Sequence, residues 1–263
     1  SLALMDHYNG IVFVSNPALG TAVYNAQNEL VFGGPNALPS FFPSEPNRTP
    51  TNLYRKARSV QVLQAEGVRV LPTLPVYYDD AEVHLPDETT VVKRALALLL
   101  MANIAGTLPP QVFDDLVAEY KVGDQFYPDE LEQIRAIRAY EMTEQERNNL
   151  TWVFESFWVL MWAANLVDDI GRVDAMCDTG PVVAFIRQHT LEDLVEMASL
   201  RSVQDVLDVG DMYYRYHWAC VSTMGMQPGV NCSVVYHRRY AIEWLVSHNQ
   251  VNAWGDIAGQ MHT

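Results

Sequence analysis

The sequence predicts a mainly α-helical protein, a multi-helix bundle-like domain with a small β-hairpin attachment at its N-terminus. Apolar residues recur at helical spacing from Thr51 onward, and helix-start patterns precede several of these stretches. The first fifty residues instead contain short apolar or β-branched runs separated by Asn, Gly and Pro. At 263 residues and 49% hydrophobic content, the chain is long enough to bury one large core.

The N-terminal segment has the composition of strands followed by an extended linker. Short runs at 11–14, 22–24 and 30–32 predict a small hairpin. Residues 33–50 then carry five prolines in eighteen positions, a density that neither a helix nor a central strand tolerates. We therefore divide the chain into a β-hairpin and Pro-rich strap at 1–50 and a helical domain at 51–263.

Helical periodicity organises the remainder. Residues 53–63 carry one apolar stripe that ends before Gly67, and residues 89–105 are apolar nearly all round, as expected of a central helix. Thr143 and Glu146 form a capping box, which predicts a helix from there towards Leu166. Similar arguments place a long helix from Ser202 to about Met224 and another over 234–248.

The charge of the chain restricts its partners. Its 32 acidic and 17 basic residues give a formal net charge of −15, which repels a phosphate backbone, so we expect no nucleic-acid partner. Residues 111–146 hold 10 acidic and 3 basic residues. This acidic segment is either an ordinary solvated surface or the docking face for a basic protein. The longest apolar run, 95–102, is too short to span a membrane, so no membrane partner is expected.

The cysteines suggest neither a disulfide framework nor a metal site. Their number is odd and no CxxC pair occurs, which favours a reducing compartment and a cytoplasmic location. His217, Cys220, Cys232 and His237 have a spacing that could supply four zinc ligands. The first two lie in a core-type apolar helix, so we expect buried core residues there, and neither a metal nor another cofactor.

Glu155 is the most informative carboxylate in the sequence. It stands in the stretch 152–164, where Ser156 is the other polar residue. A carboxylate in a helix that is apolar on every side is expected to be buried, and it then needs a partner or a raised pKa. Arg94 and either Arg238 or Arg239 are candidate partners. We name Glu155, Arg94 and Arg238 as the candidate catalytic residues, with a purely structural ion pair as the competing interpretation.

Several short motifs share their order with a known family. Together they resemble the bacterial domain-of-unknown-function 4272 family over roughly residues 54–256. The matching residues are Arg58, Leu74-Pro75, Arg94-Ala95, Trp152-x-x-Glu155, Leu160-Met161-Trp162-Ala163, Leu200-Arg201, Leu207-Asp208, Asp211 to Arg215, Trp218-Ala219, Arg238-x-x-Ala241-Ile242-x-Trp244-Leu245 and Trp254-x-Asp256. The resemblance implies a helical fold and supplies no chemistry. This chain departs from the family at His237, where members usually have Glu.

Three functions remain open from the sequence. The first is a cytoplasmic module that binds another protein or a small ligand without catalysis. The second is a hydrolase-type enzyme that uses Glu155 with the arginines or with His237. The third is an acidic inhibitory or immunity-type protein that covers a basic site on its target.

Overall fold

The structure is a computed structural model that describes residues 49–71, 73–247 and 254–261, together with the backbone of three short strands within residues 12–32. In this part of the chain the protein is mainly helical, as the sequence predicts. In chain order its α-helices are α1 (Pro50–Ala65), α2 (Glu88–Ala105), α3 (Pro110–Glu119), α4 (Pro128–Arg138), α5 (Glu144–Thr151), α6 (Val153–Ala163), α7 (Thr179–Ile186), α8 (Leu191–Met197), α9 (Val203–Ser222) and α10 (Cys232–Val246). Short 3₁₀ helices occupy Asp80–Glu82, Gly123–Gln125 and Trp254–Gln260.

The N-terminal strands are β1 (Val12–Asn16), β2 (Gly20–Tyr24) and β3 (Leu30–Phe32). They pair antiparallel in the order β1-β2-β3, with Phe13 opposite Val23. The segments that join the strands and the strap over 33–48 lie outside the described residues. The attachment of a hairpin to the helical body therefore stays a prediction.

The chain forms two compact units, each built from separate stretches of sequence. The first contains residues 1–83 and 203–228, and α1 and α9 are its helices. The second contains residues 84–202 and 229–262, with the other eight described helices.

In the first unit, α1 packs against α9. Helix α1 begins with a capping box between Thr49 and Asn52. Pro50 is in its first turn, where a backbone N–H would have no acceptor within the helix, so the missing N–H of proline costs nothing. Leu53, Val60 and Leu63 form the predicted apolar stripe and are buried. Burial of this stripe stabilises α1, since a helix of this length is marginal alone.

In the second unit, α2 is the central helix. Its N-cap is Asp87, whose side chain accepts a hydrogen bond from the Thr90 N–H, and residues 95–102 are all buried. Helix α2 packs against α6, and α6 packs against α10. The nearly all-apolar composition of α2 thus predicted its central place correctly.

The predicted helix from Thr143 towards Leu166 is interrupted. The Trp152 N–H donates to the Asn149 carbonyl and the Glu155 N–H to the Trp152 carbonyl, each three residues back, so one tight turn separates α5 from α6. The capping box at Thr143 and Glu146 is present as predicted. The break places Trp152 at a junction between a polar helix and an apolar one.

No helix among the described residues is long and apolar enough to cross a membrane.

Candidate functional site

Glu155 and Arg238 form a buried ion pair in the second unit. Glu155 lies in the first turn of α6 and Arg238 lies in α10, and both are almost fully buried. The Arg238 Nε donates to the Glu155 Oε2 over 2.8 Å. A charge removed from water needs such a partner, because an isolated buried ion carries a large desolvation penalty.

The same arginine holds the loop between α6 and α7, residues 165–178. Its Nη1 donates to the carbonyls of Gly171 and Arg172, each over 3.1 Å, and its Nη2 donates to the Ala175 carbonyl over 3.4 Å. Gly171 has φ +81°, a left-handed conformation that side-chain-bearing residues adopt only with strain. The buried guanidinium therefore serves as a template for backbone groups of this loop.

Further contacts fix both ends of the loop. The other Glu155 oxygen, Oε1, accepts from the Cys177 N–H over 2.8 Å. At the opposite end, the Arg201 Nη2 donates to the Val167 and Asp168 carbonyls over 3.2 and 2.9 Å. The 165–178 loop is thus bound to α6, to α10 and to the segment between α8 and α9, although it has no secondary structure of its own.

Arg94, the third candidate residue, has a different partner. Its guanidinium donates to both oxygens of Glu130, over 2.9 Å from Nη1 and 2.5 Å from Nη2, and to the Gln125 carbonyl over 2.8 Å. Its central carbon lies 4.3 Å from the Trp254 ring centroid and 4.9 Å from that of Tyr127. The structure therefore brings Glu155 together with Arg238 and pairs Arg94 with Glu130.

Sequence reasoning did not find Glu130. A charged residue in the apolar helix α2 required a carboxylate, but the acidic segment 111–146 offered ten of them with no means of choosing. The other candidate, Arg239, pairs with Glu243 one turn later in α10, over 3.3 Å. That pair has the i, i+4 spacing of neighbours on one helix face, so it can be predicted from the sequence alone.

A pocket of about 370 Å³ opens beside the Glu155–Arg238 pair. Its walls come from the end of α5, the first turn of α6, the end of the 165–178 loop and the start of α7. The lining residues are Asn148, Thr151, Trp152, Phe154, Glu155, Met176, Cys177 and Thr179. Aromatic and thioether groups lie beside hydroxyl and amide groups in this lining, a mixture typical of small-molecule sites. The pocket was not predictable from the sequence, because its lining brings together residues 148–155 and 176–179, which are separated along the chain.

Trp152 lines this pocket and also contacts His237, the position at which this chain differs from the family that it resembles. The indole and the imidazole are stacked, with ring centroids 6.3 Å apart and an interplanar angle of 14°. Burial lowers the pKa of His237 to about 4, because the surroundings disfavour the charged imidazolium. His237 is therefore neutral at pH 7. Its backbone carbonyl accepts from the Ser156 hydroxyl over 2.7 Å, which ties α10 to α6.

Cys177 is the free cysteine, whereas Cys220 and Cys232 are disulfide-bonded. Burial, followed by the neighbouring Glu155 carboxylate, raises the pKa of the Cys177 thiol, so the group is protonated at pH 7. The oxidised state of the other two removes the basis for inferring a reducing compartment from cysteine usage. The cytoplasmic location stays a prediction.

The His217, Cys220, Cys232 and His237 pattern gains no support as a metal site. Zinc ligation requires thiolates, and two of these four residues are the disulfide-bonded cysteines. In the part of the chain that the structure describes, no three His, Cys, Asp or Glu side chains are grouped so as to hold a metal ion.

The family of the chain is shown by a family model that matches residues 55–257, described as "Domain of unknown function (DUF4272)". The chain belongs to the DUF4272 family. Its DUF4272 span contains the Glu155–Arg238 pair, the Arg94–Glu130 pair and every residue that lines the pocket. No curated protein and no solved structure matches the chain. The DUF4272 assignment thus carries no activity with it, and function has to be argued from the site.

The acidic segment of this DUF4272 chain is partly neutralised by its own cations. Half of its ten acidic residues form ion pairs with other residues that the structure describes. These are Asp114 with Arg138, Asp124 with Lys93, Glu130 with Arg94, and Glu132 and Glu141 with Arg135. The field that this face presents to a basic partner is accordingly weaker than the composition indicates.

Proposed function

We propose that this protein is a small-ligand-binding module, and that its ligand occupies the pocket beside Trp152. The observation that carries the proposal is a pocket of about 370 Å³ whose walls combine Trp152, Phe154 and Met176 with the hydroxyl-bearing Thr151 and Thr179. Its volume lies at the lower end of the range usual for small-molecule sites. A ligand of metabolite size would bury its apolar part on the first group and direct polar atoms to the second.

The support for binding without catalysis comes from the state of Glu155. One carboxylate oxygen accepts from Arg238 and the other from the Cys177 N–H, both over 2.8 Å. A general base has to reach a proton on its substrate, and these hydrogen bonds already engage both oxygens. The role of Glu155 in this proposal is to hold the 165–178 loop in place.

Rigidity of the pocket wall also favours a binding role. The loop that supplies Met176 and Cys177 is held by Arg238 at three carbonyls and by Glu155 at one N–H. A wall fixed before the ligand arrives costs less ordering entropy on binding, which raises affinity. The Glu155–Arg238 ion pair thus holds one wall of the pocket in place.

Cys177 provides a reporter for occupancy, because it is the free thiol and it lines the pocket. The test exposes the full chain to a panel of fragments of about twelve non-hydrogen atoms or fewer, with neutral, cationic and anionic members. Thermal unfolding is followed together with the rate at which 4,4′-dithiodipyridine modifies Cys177. A true ligand raises the melting temperature and slows the modification in parallel.

Two variants make the result specific to this pocket. Met176→Trp should fill the space and abolish both effects, whereas Phe185→Leu, which alters a half-buried aromatic residue of α7 outside the lining, should retain them. A panel in which no fragment protects Cys177 at about 10 mM, a concentration at which even weak fragment binding is visible, would refute the binding role.

A further inference from the structure

The fold repeatedly places an arginine over a tryptophan. The guanidinium carbon of Arg94 lies 4.3 Å from the Trp254 ring centroid, and that of Arg201 lies 4.9 Å from Trp162. In the first unit, Arg69 lies 5.6 Å from Trp218. All three distances are within the range in which the negative face of an indole attracts a cation.

Trp152 is the pocket-lining tryptophan, and it differs from these three. Among the described residues its ring partner is His237, and no lysine or arginine lies over the indole. The stacked imidazole is neutral at pH 7, because burial lowers the pKa of His237 to about 4. The indole therefore has no cation of its own from the described part of the chain.

The charges around the pocket disfavour an anionic guest. The lining contains no lysine or arginine, and its one carboxylate, that of Glu155, is paired with Arg238. Asp178, between the two lining residues Cys177 and Thr179, is exposed. The nearby Arg147 donates to the carbonyls of Ala105 and Gly106 at the end of α2. Nothing in the lining would neutralise an anionic ligand, and the chain as a whole carries a formal charge of −15.

We propose that the pocket binds a small organic cation, an alkylammonium compound of about the size of choline, with its charged group against the Trp152 indole. This inference rests on the proposed ligand-binding function and names the class of ligand. The methyl groups of such a cation would contact Phe154 and Met176, because the charge of a substituted ammonium is spread over apolar surface. Thr151 and Thr179 would bind a polar substituent such as a hydroxyl group.

The test compares choline with its neutral isostere 3,3-dimethylbutan-1-ol, which has the same shape and lacks the charge. Both are titrated calorimetrically into the full chain at constant ionic strength, with sodium chloride matched to the choline chloride. The cation–π contribution should make choline bind about fivefold or more tightly than the isostere. Both should slow the modification of Cys177, since they occupy the same space.

Variants of Trp152 separate the indole from the rest of the pocket. Trp152→Leu should weaken choline about tenfold and leave the neutral isostere within about twofold, whereas Trp152→Phe should lose about threefold. Phe185→Leu should bind choline as the parent does. Circular dichroism of each variant confirms that it is folded before it is titrated.

Three outcomes would overturn the inference. They are equal affinities for choline and its isostere, choline binding that Trp152→Leu leaves intact, and no choline binding up to about 50 mM, beyond any useful affinity. If a neutral or anionic fragment protects Cys177 while choline does not, the ligand-binding function stands and the cationic ligand class fails. If nothing protects Cys177, both fail together.

Discussion

Arg215 lies one helical turn after Asp211 in α9, and its guanidinium holds both oxygens of that carboxylate. The Nε to Oδ2 distance is 2.9 Å and the Nη2 to Oδ1 distance is 2.6 Å. Both side chains are buried, so the pair is shielded from salt. Arg215 also donates to the Pro75 carbonyl over 3.3 Å, which connects α9 to the segment after α1.

Asp211→Ala should lower the free energy of unfolding by about 3–5 kcal/mol, because it strands the buried Arg215 charge. Urea unfolding followed by circular dichroism measures the loss. Glu132→Ala is the matched control: it removes an exposed carboxylate that also pairs with an arginine, Arg135, and it should leave the midpoint unchanged. Equal effects of the two substitutions would contradict the importance of burial.

Glu155→Ala should destabilise the second unit by a similar amount, about 3–5 kcal/mol, and it should have an additional local effect. Without the acceptor for its N–H, Cys177 should become more accessible and react faster with 4,4′-dithiodipyridine under native conditions. Glu155→Gln keeps an acceptor oxygen at this position, so it should preserve more of the protection of Cys177. If neither substitution changes the reaction rate, the loop is held by other contacts.

His237 should make stability depend on pH. Burial depresses the folded-state pKa to about 4, whereas the unfolded imidazole titrates near its ordinary value of 6.5. The unfolded state therefore binds more protons between these values, and stability that is complete above about pH 6.5 is lost as the pH falls towards 4. The full shift corresponds to about 2 kcal/mol at pH 5, and solvent screening of the half-buried ring reduces our expectation to about 1 kcal/mol.

The measurement for His237 is the difference in unfolding free energy between pH 7.5 and pH 5. His237→Phe retains an aromatic ring against Trp152 and cannot be protonated, so its difference should be smaller than that of the parent by about 1 kcal/mol. Parallel pH profiles for the two proteins would show that this histidine is not responsible.

Tyr140 carries a conformational cost that can be removed. It has φ +58° just after α4, and its side chain is 90% exposed, so few contacts offset the strain. Tyr140→Gly should raise the free energy of unfolding by about 0.5–1 kcal/mol, since glycine is the preferred residue at such helix ends. Tyr140→Ala keeps the steric problem and should give no gain. A loss of stability in the glycine variant would contradict the argument from backbone strain.

The sequence predicted local features better than distant pairings. Apolar periodicity identified α2 as a central helix, and the pairing of Thr143 with Glu146 marked the start of α5, because both depend on residues a few positions apart. The need of Glu155 for a partner also followed from its apolar helix. The sequence could not single out Arg238, which is 83 residues away, from the other candidate arginines. That pairing depends on how α6 packs against α10.

The break at Trp152 was not predictable for a related reason. Its backbone has helical angles, and only the hydrogen-bond pattern changes, with the Glu155 N–H bonded three residues back. No proline or glycine marks this turn in the sequence. The pocket was not predictable either, because Trp152 and Glu155 meet Met176 and Cys177 only in the folded chain.

The first unit combines two stretches of chain that the ribosome synthesises far apart in time, so it cannot fold until the second stretch has been made. Arg55 of α1 donates to Asp208 of α9 over 2.9 Å, and these two residues are 153 positions apart. At about 5–20 residues per second, roughly 8 to 30 s pass between their syntheses. Helix α1 therefore leaves the ribosome long before its packing partner exists, with Leu53, Val60 and Leu63 exposed to the cell during that interval. During this interval a chaperone that binds short apolar helices could bind α1.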